Sequence, residues 1–145
     1  MMNPHRVIVS AIVIAAIVAV LLSMFRVAMV KGESMMPTMH DGQFVLATRR
    51  LSRLHRGDVV LVRRRPGTLI KRVAYLPGDR VSALDRELFA GVEDYFDHMQ
   101  GCLVVPRGRV VVLGDNRPNS EDSRHFGPVA MRDIIGKVIG SPSAP

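Results

Sequence analysis

Cysteine is nearly missing from this chain: Cys102 is the only one among 145 residues. No internal disulfide can form, and a cysteine-rich zinc site is excluded. Aromatics are also scarce, with five Phe, two Tyr and no Trp. That is too few to build the stacking platforms of a nucleic-acid groove, so no nucleic-acid partner is expected. Lysine is the third scarcity. Of 20 basic residues only Lys31, Lys71 and Lys137 are lysine; the rest are arginine. Arginine does not titrate at useful pH, so a lysine kept in such a chain is a candidate for chemistry that needs titration. Finally, residues 7–25 carry no charge at all.

That uncharged run is 19 residues long, interrupted only by Ser10 and Ser23. At 1.5 Å per residue a helix over it spans about 28 Å, close to the hydrocarbon thickness of a bilayer. A cleaved leader usually has a shorter core of about 7–15 residues. The expectation is a retained transmembrane helix within an N-terminal tail and anchor, residues 1–30. One compact domain follows over residues 31–140, with a flexible tail at 141–145. Residues 1–30 hold two basic residues and no acidic ones. The remainder has 18 basic against 13 acidic residues, a net charge of +5, which suits an anionic lipid surface. Arg6 precedes the helix, and Arg26, Lys31, Arg49 and Arg50 follow it. Charge counting alone puts the domain on the cytoplasmic side.

Beyond the anchor, short β-prone runs alternate with turn signals. The runs are 44–48, 59–63, 69–76, 81–84, 110–113 and 134–139. The turns include Asp41-Gly42, Gly57-Asp58, Pro66-Gly67, Pro77-Gly78-Asp79 and Gly114-Asp115. This spacing predicts an all-β sheet or barrel-like domain. Residues 86–100 break the pattern and read as a hairpin excursion or a short helix.

Two residues suggest chemistry. Eight residues separate Ser34 from the apolar run, and apolar Met35 and Met36 follow it. In a strand, Leu69, Lys71, Val73 and Tyr75 share one face. A lysine on such an inward face is desolvated, its pKa falls, and the neutral amine can act as a base. Serine and neutral lysine together need neither metal nor cofactor to acylate and deacylate. The backbone N–H of Ser34 is the natural oxyanion donor. The ordinary alternatives are a solvated turn serine and a lysine snorkelling from an edge. His40, His55, His98 and His125 show no metal-ligand spacing. The run Arg63-Arg64-Arg65 reads as a solvated face.

Several ordered blocks then resemble the type I signal peptidases, the Ser-Lys membrane proteases, in their compact single-anchor form. They are Gly32-Glu33-Ser34-Met35-Met36-Pro37-Thr38-Met39; Gly57-Asp58-Val59-Val60; Ile70-Lys71-Arg72-Val73 with Leu76-Pro77-Gly78-Asp79; and Gly114-Asp115-Asn116 through Ser120, Asp122 and Arg124 to Phe126-Gly127-Pro128. The resemblance implies a mainly β catalytic domain behind a transmembrane helix, with Ser34 as nucleophile and Lys71 as general base. It implies that Ser120 hydrogen-bonds and orients the lysine amine. It also implies that Asp122 and Arg124 form a bracing ion pair, whose plain alternative is a surface pair worth under about 1 kcal/mol. Some relatives place a serine hydroxyl in the oxyanion hole where this chain has Gly32, so Gly32 is left with only a backbone N–H to offer. Met35 and Val73 are expected to line the pocket for small side chains.

The implied substrates are secretory preproteins with small residues before the cut. The implied place is the extracytoplasmic face of the plasma membrane, opposite to the charge count, with the lipid bilayer as the other partner. Two alternatives remain. One is a specialised Ser-Lys processing peptidase, of the pilus-conjugation or organelle inner-membrane type. The other is a non-catalytic membrane-anchored β binding module.

Overall fold

The computed structural model describes residues 4–142 apart from residue 52. Helix α1 (Pro4–Met24) takes up the apolar run and is apolar on every side. Its two serines turn inward: Ser10 Oγ donates to the Arg6 carbonyl (2.6 Å) and Ser23 Oγ to the Val20 carbonyl (2.7 Å). Such back-bonding hides the hydroxyls against the helix. By length and by a mean hydropathy of 3.0, α1 can cross a membrane.

The segment between the apolar run and Ser34 begins as ordered strand. Strand β1 (Phe25–Met29) starts at the residue after α1 and pairs antiparallel along its whole length with β2 (Phe44–Thr48). The Arg49 N–H donates to the Met24 carbonyl (2.9 Å), tying the helix end to the end of β2. Phe25, read from sequence as the last residue of the apolar run, is already strand. Apolar composition alone does not separate a helix from the strand that continues it.

The domain is built on one antiparallel seven-stranded sheet. Its further strands are β3 (Val59–Arg64), β4 (Gly67–Tyr75), β7 (Arg109–Leu113), β8 (Val129–Ala130) and β9 (Ile134–Val138), in the order β1-β2-β9-β3-β4-β7-β8. A separate hairpin, β5 (Asp97–Met99) with β6 (Cys102–Val104), follows short 3-10 turns at Arg86–Phe89 and Glu93–Tyr95. Residues 86–100 thus contain both turns of helix and half a hairpin. The expected strand at 81–84 is absent. Val81 donates one bond to Leu103 and Arg80 bridges Val104, after which Asp85 closes a turn onto Ser82.

Both faces of the central hairpin are buried, which explains the unbroken run Val59-Val60-Leu61-Val62. Val59, Leu61 and Ile70 pack beneath Met35, Met39 and Val45. Val60, Val62 and Val73 pack on the other face with Val110, Val112 and Ile134. The register slips between Val73 and Tyr75. This irregularity moves Tyr75 into a third cluster with Phe89, Phe96 and Val111. Tyr75 therefore does not share the face of Lys71 and Val73 as strict alternation predicts.

Met35 and Met39 are each 1% exposed. Full burial of a methionine contributes about 1.5–3 kcal/mol, so these two side chains hold the loop containing Ser34 against the sheet. Met39→Ala should lower stability by about 2–5 kcal/mol, measured as a fall in the denaturant midpoint at constant slope.

Candidate active site

Beyond β1 the chain loops out and returns as β2. The Val30 N–H donates to Gln43 O (2.8 Å), and the Gly42 N–H donates back to Val30 O (2.9 Å). Gly32 lies at φ +76°, a conformation that glycine adopts without steric cost. Its N–H donates to Asp41 Oδ1 (2.6 Å) and is committed to this turn. Ser34, half-buried, follows two residues later. Among the described residues nothing accepts from its N–H. The loop after β7 clamps the Ser34 loop from the other side. The Asn116 N–H donates to Ser34 O (3.0 Å) and Asn116 Nδ2 to Glu33 O (3.1 Å).

Lys71 sits on β4 opposite Val60 and is 3% exposed. Its Nζ is hydrogen-bonded to Ser34 Oγ at 2.7 Å. Burial pushes the amine below its ordinary pKa near 10.5; the charges of Asp122 and Glu121 oppose this without cancelling it. Among the described residues no carboxylate forms an ion pair with Lys71.

Asp122 organises the wall beside this pair. Its carboxylate is fully buried and accepts from the Gly114 N–H (2.9 Å), Ser120 Oγ (2.7 Å), Arg124 Nε (2.8 Å) and Arg124 Nη2 (3.0 Å). Burial works to raise its pKa. The Arg124 guanidinium, the Gly114 N–H and the Ser120 hydroxyl outweigh it and hold the carboxyl below the usual range. This is not the surface pair of the plain alternative. It also redirects Ser120, whose hydroxyl donates to Asp122 rather than to the lysine. A buried carboxylate is the stronger acceptor and is costly to leave short of donors.

Sequence reasoning missed a second buried tie. Arg72, next to Lys71, grips Asp115 with both arms of its guanidinium: Nε to Oδ1 (2.8 Å) and Nη2 to Oδ2 (2.7 Å). Its Nη1 donates to Gly57 O (2.8 Å) and Pro142 O (3.0 Å). The Thr38 hydroxyl also donates to Asp115. Burial would raise the Asp115 pKa, but Arg72 and Thr38 hold it down. The loop carrying Ser34 and Thr38 is therefore fastened to the strand that carries the lysine. The available signal was two adjacent basic residues, Lys71-Arg72, inside a strand buried on both faces.

The pair opens into a groove of about 380 Å³. Residues 28–31, Ser34 and Met35 form one wall, and residues 67–71 the other. The groove follows from the sheet order. β1 is the terminal strand, and β7 covers the second edge of β4 only from Arg72 onward. Two strand edges are thus left open opposite each other. Met35 lines the groove as expected. Val73 does not: it lies where β7 already covers β4, 1% exposed in the core.

A serine hydroxyl against a buried amine, at one end of a groove with open strand edges, is the equipment of a serine hydrolase acting on extended chains. The model of the signal peptidase family, peptidase S26, matches residues 4–91 and 87–141. Signal peptidase I V of Bacillus subtilis (strain 168) is 33% identical over 135 aligned residues, covering 75% of this chain and 80% of that protein. Signal peptidase I S of the same organism is 33% identical over 151, covering 87% and 82%. The mitochondrial ATP-independent inner membrane protease subunit 1b of Arabidopsis thaliana is 37% identical over 115, covering 74% and 64%. The chain belongs to the signal peptidase family, peptidase S26, and is a serine peptidase.

Two predictions follow from this geometry. A Cβ on Gly114 would fall 2.6 Å from Ser34 O and overlap the Ser120 side chain. Gly114→Ala should therefore cut peptidase turnover by about 100-fold, on the scale expected for a misplacement of about 1 Å, while circular dichroism stays native. Lys71→Met should raise stability at pH 7. The lysine's folded pKa is depressed, so the unfolded chain binds the extra proton. That cost is full below the folded pKa and vanishes as pH climbs past about 10.5. Melting curves at pH 7 and pH 11 should show the difference shrinking.

Proposed function

We propose that this protein is a membrane-anchored endopeptidase that removes signal peptides from secretory preproteins through a Ser34–Lys71 dyad. The observation that carries this reading is the 2.7 Å contact between Lys71 Nζ and Ser34 Oγ, made by an amine that burial favours in its neutral form. The neutral amine takes the Ser34 proton as Oγ attacks the scissile carbonyl. The tetrahedral oxyanion receives the Ser34 N–H, an interaction of the kind worth about 2.7–4 kcal/mol. Collapse expels the new amine terminus, which takes the proton back from Lys71, and leaves an acyl-Ser34 ester. Lys71 then deprotonates a water, which releases the acid and restores Ser34.

Asp122 with Arg124, and Asp115 with Arg72, act as positioning groups. Ser120 supports Asp122 and, through that wall, the lysine. The open edges of β1 and β4 suit an extended substrate that adds main-chain hydrogen bonds on both sides. The buried Met35 side chain makes the groove floor beside Ser34, which favours small side chains there. Helix α1 crosses the plasma membrane once, and the domain works on the extracytoplasmic face, where preproteins emerge. Anchoring enzyme and substrate in one bilayer raises their effective concentration. The likeness to the Arabidopsis inner membrane protease subunit supports a second reading, an organelle-type processing peptidase with the same chemistry. Mapping mature N-termini after depletion separates the two.

Ser34→Ala and Lys71→Ala should each abolish cleavage of a preprotein carrying Ala-X-Ala before the cut, with the fold retained. Lys71→Arg should be equally inactive, because it keeps charge and loses the titrating amine. Normal processing by any of the three would sink the dyad. In the wild type, kcat/KM should rise with pH through the lowered Lys71 pKa and then level off; a rate that falls over that range counts against a neutral-amine base.

A further inference from the structure

Arg26 is the second residue of β1, two positions beyond the end of α1. It pairs with Ala47 and, by alternation, shares the face of Ala28, which lines the groove. Val27, on the opposite face, is exposed, and Met29, also exposed, joins Ala28 in lining the groove. The Arg26 Nε is buried, and among the described residues it is the buried side-chain nitrogen or oxygen that has no hydrogen-bond partner. The other well-buried guanidiniums are fully engaged: Arg72 with Asp115, Gly57 O and Pro142 O, and Arg124 with Asp122. Arg26 thus keeps a buried donor with nothing to receive it, on the edge strand between the groove wall and the helix.

The direction of the groove says what arrives there. From Ser34 it runs back along residues 31–28 toward α1. A substrate tethered by an upstream apolar helix lies with that helix toward the bilayer, so its upstream segment follows the same path. From Val30 to Arg26 is four strand residues, about 13 Å, equivalent to about four extended substrate residues. At that point the substrate passes from strand to membrane helix, and the last four carbonyls of a helix have no partner of their own. A guanidinium offers five donors, and a cation at a helix C-terminus also complements the dipole.

Resting on the peptidase reading above, we propose that Arg26 is a substrate-binding residue that caps the C-terminal end of the preprotein's apolar helix, binding its free backbone carbonyls where the helix gives way to the extended segment. The occupant is peptide rather than lipid phosphate, because Arg26 belongs to the edge strand whose continuation, residues 28–31, forms the groove wall. The site reads helix geometry and not side-chain identity, which suits substrates that share an apolar helix and little sequence.

The test uses the full chain in phosphatidylcholine vesicles with two substrates sharing one cleavage sequence. One begins three residues before the cut; the other carries an apolar helix upstream. For Arg26→Gln the ratio of kcat/KM, long over short, should fall about tenfold, as expected for loss of a charge-assisted hydrogen bond. The change should lie in KM, and Arg26→Lys should recover part of it. Equal losses on both substrates mean that Arg26 serves the fold, and overturn the proposal. A loss that appears only when phosphatidylglycerol is added identifies a headgroup phosphate as the ligand, and also overturns it. A wild-type series lengthened upstream one residue at a time gives a check that needs no variant to fold. Its kcat/KM should step up between about four and seven residues, and a flat series refutes the cap. Cleavage of the short peptide by Ser34→Ala would instead remove the Ser-Lys reading, whatever the ratio does.

Discussion

The arrangement depends on keeping one amine dry and without an anion. A buried lysine is easily turned into half of an ion pair, and a paired lysine is a poor base. Of the carboxylates that act on Lys71, Asp115 and Asp122 are already taken and Glu121 stays exposed to solvent. Asp115 is held by Arg72, Asp122 by Arg124, and Asp58 pairs with Lys137. The arginines bind more donors to each carboxylate than an ammonium does, and they stay charged at any working pH. The preference for arginine in the composition thus gains a local meaning. Arginine absorbs the negative charge near the site, and the amine is left with a serine hydroxyl for company.

Burial on both faces follows from the same need. Lys71 is dry because Val60 flanks it on β3, because β4 is packed above and below, and because Met35 and Met39 bring the nucleophile loop down over the sheet. The loop after β7 completes the enclosure through Asn116 and Gly114. Four segments far apart in sequence, residues 34–39, 57–62, 70–73 and 113–124, converge within one hydrogen-bonded wall. Little in that wall can move alone.

Much of this was legible in the sequence where the signal is local. The apolar runs at 44–48, 59–63 and 110–113 became strands, and the Asp122–Arg124 pair formed because residues two apart reach each other. Legibility failed where the determinant is long-range. β1 was hidden by its continuity with the apolar helix. The register slip after Val73 is set by pairing with β7, which no pattern within β4 reports. Thr38, Arg72 and Asp115 come together only in the fold, and the choice of Ser120 between an amine and a carboxylate was decided by the burial of Asp122. Motif blocks indicated which residues matter; packing decided which partners they have.

The direct passage from α1 into β1 changes what the anchor can transmit. A hinged anchor would let the domain swivel freely over the surface. Here the Met24 carbonyl accepts from the Arg49 N–H and the next residue is already paired in the sheet, so no unpaired residue separates helix from sheet. Spanning helices meet a thicker or thinner bilayer partly by changing tilt. A spanning helix that tilted in this way would carry the groove with it, and lipid thickness would then act on the angle at which the serine meets its bond.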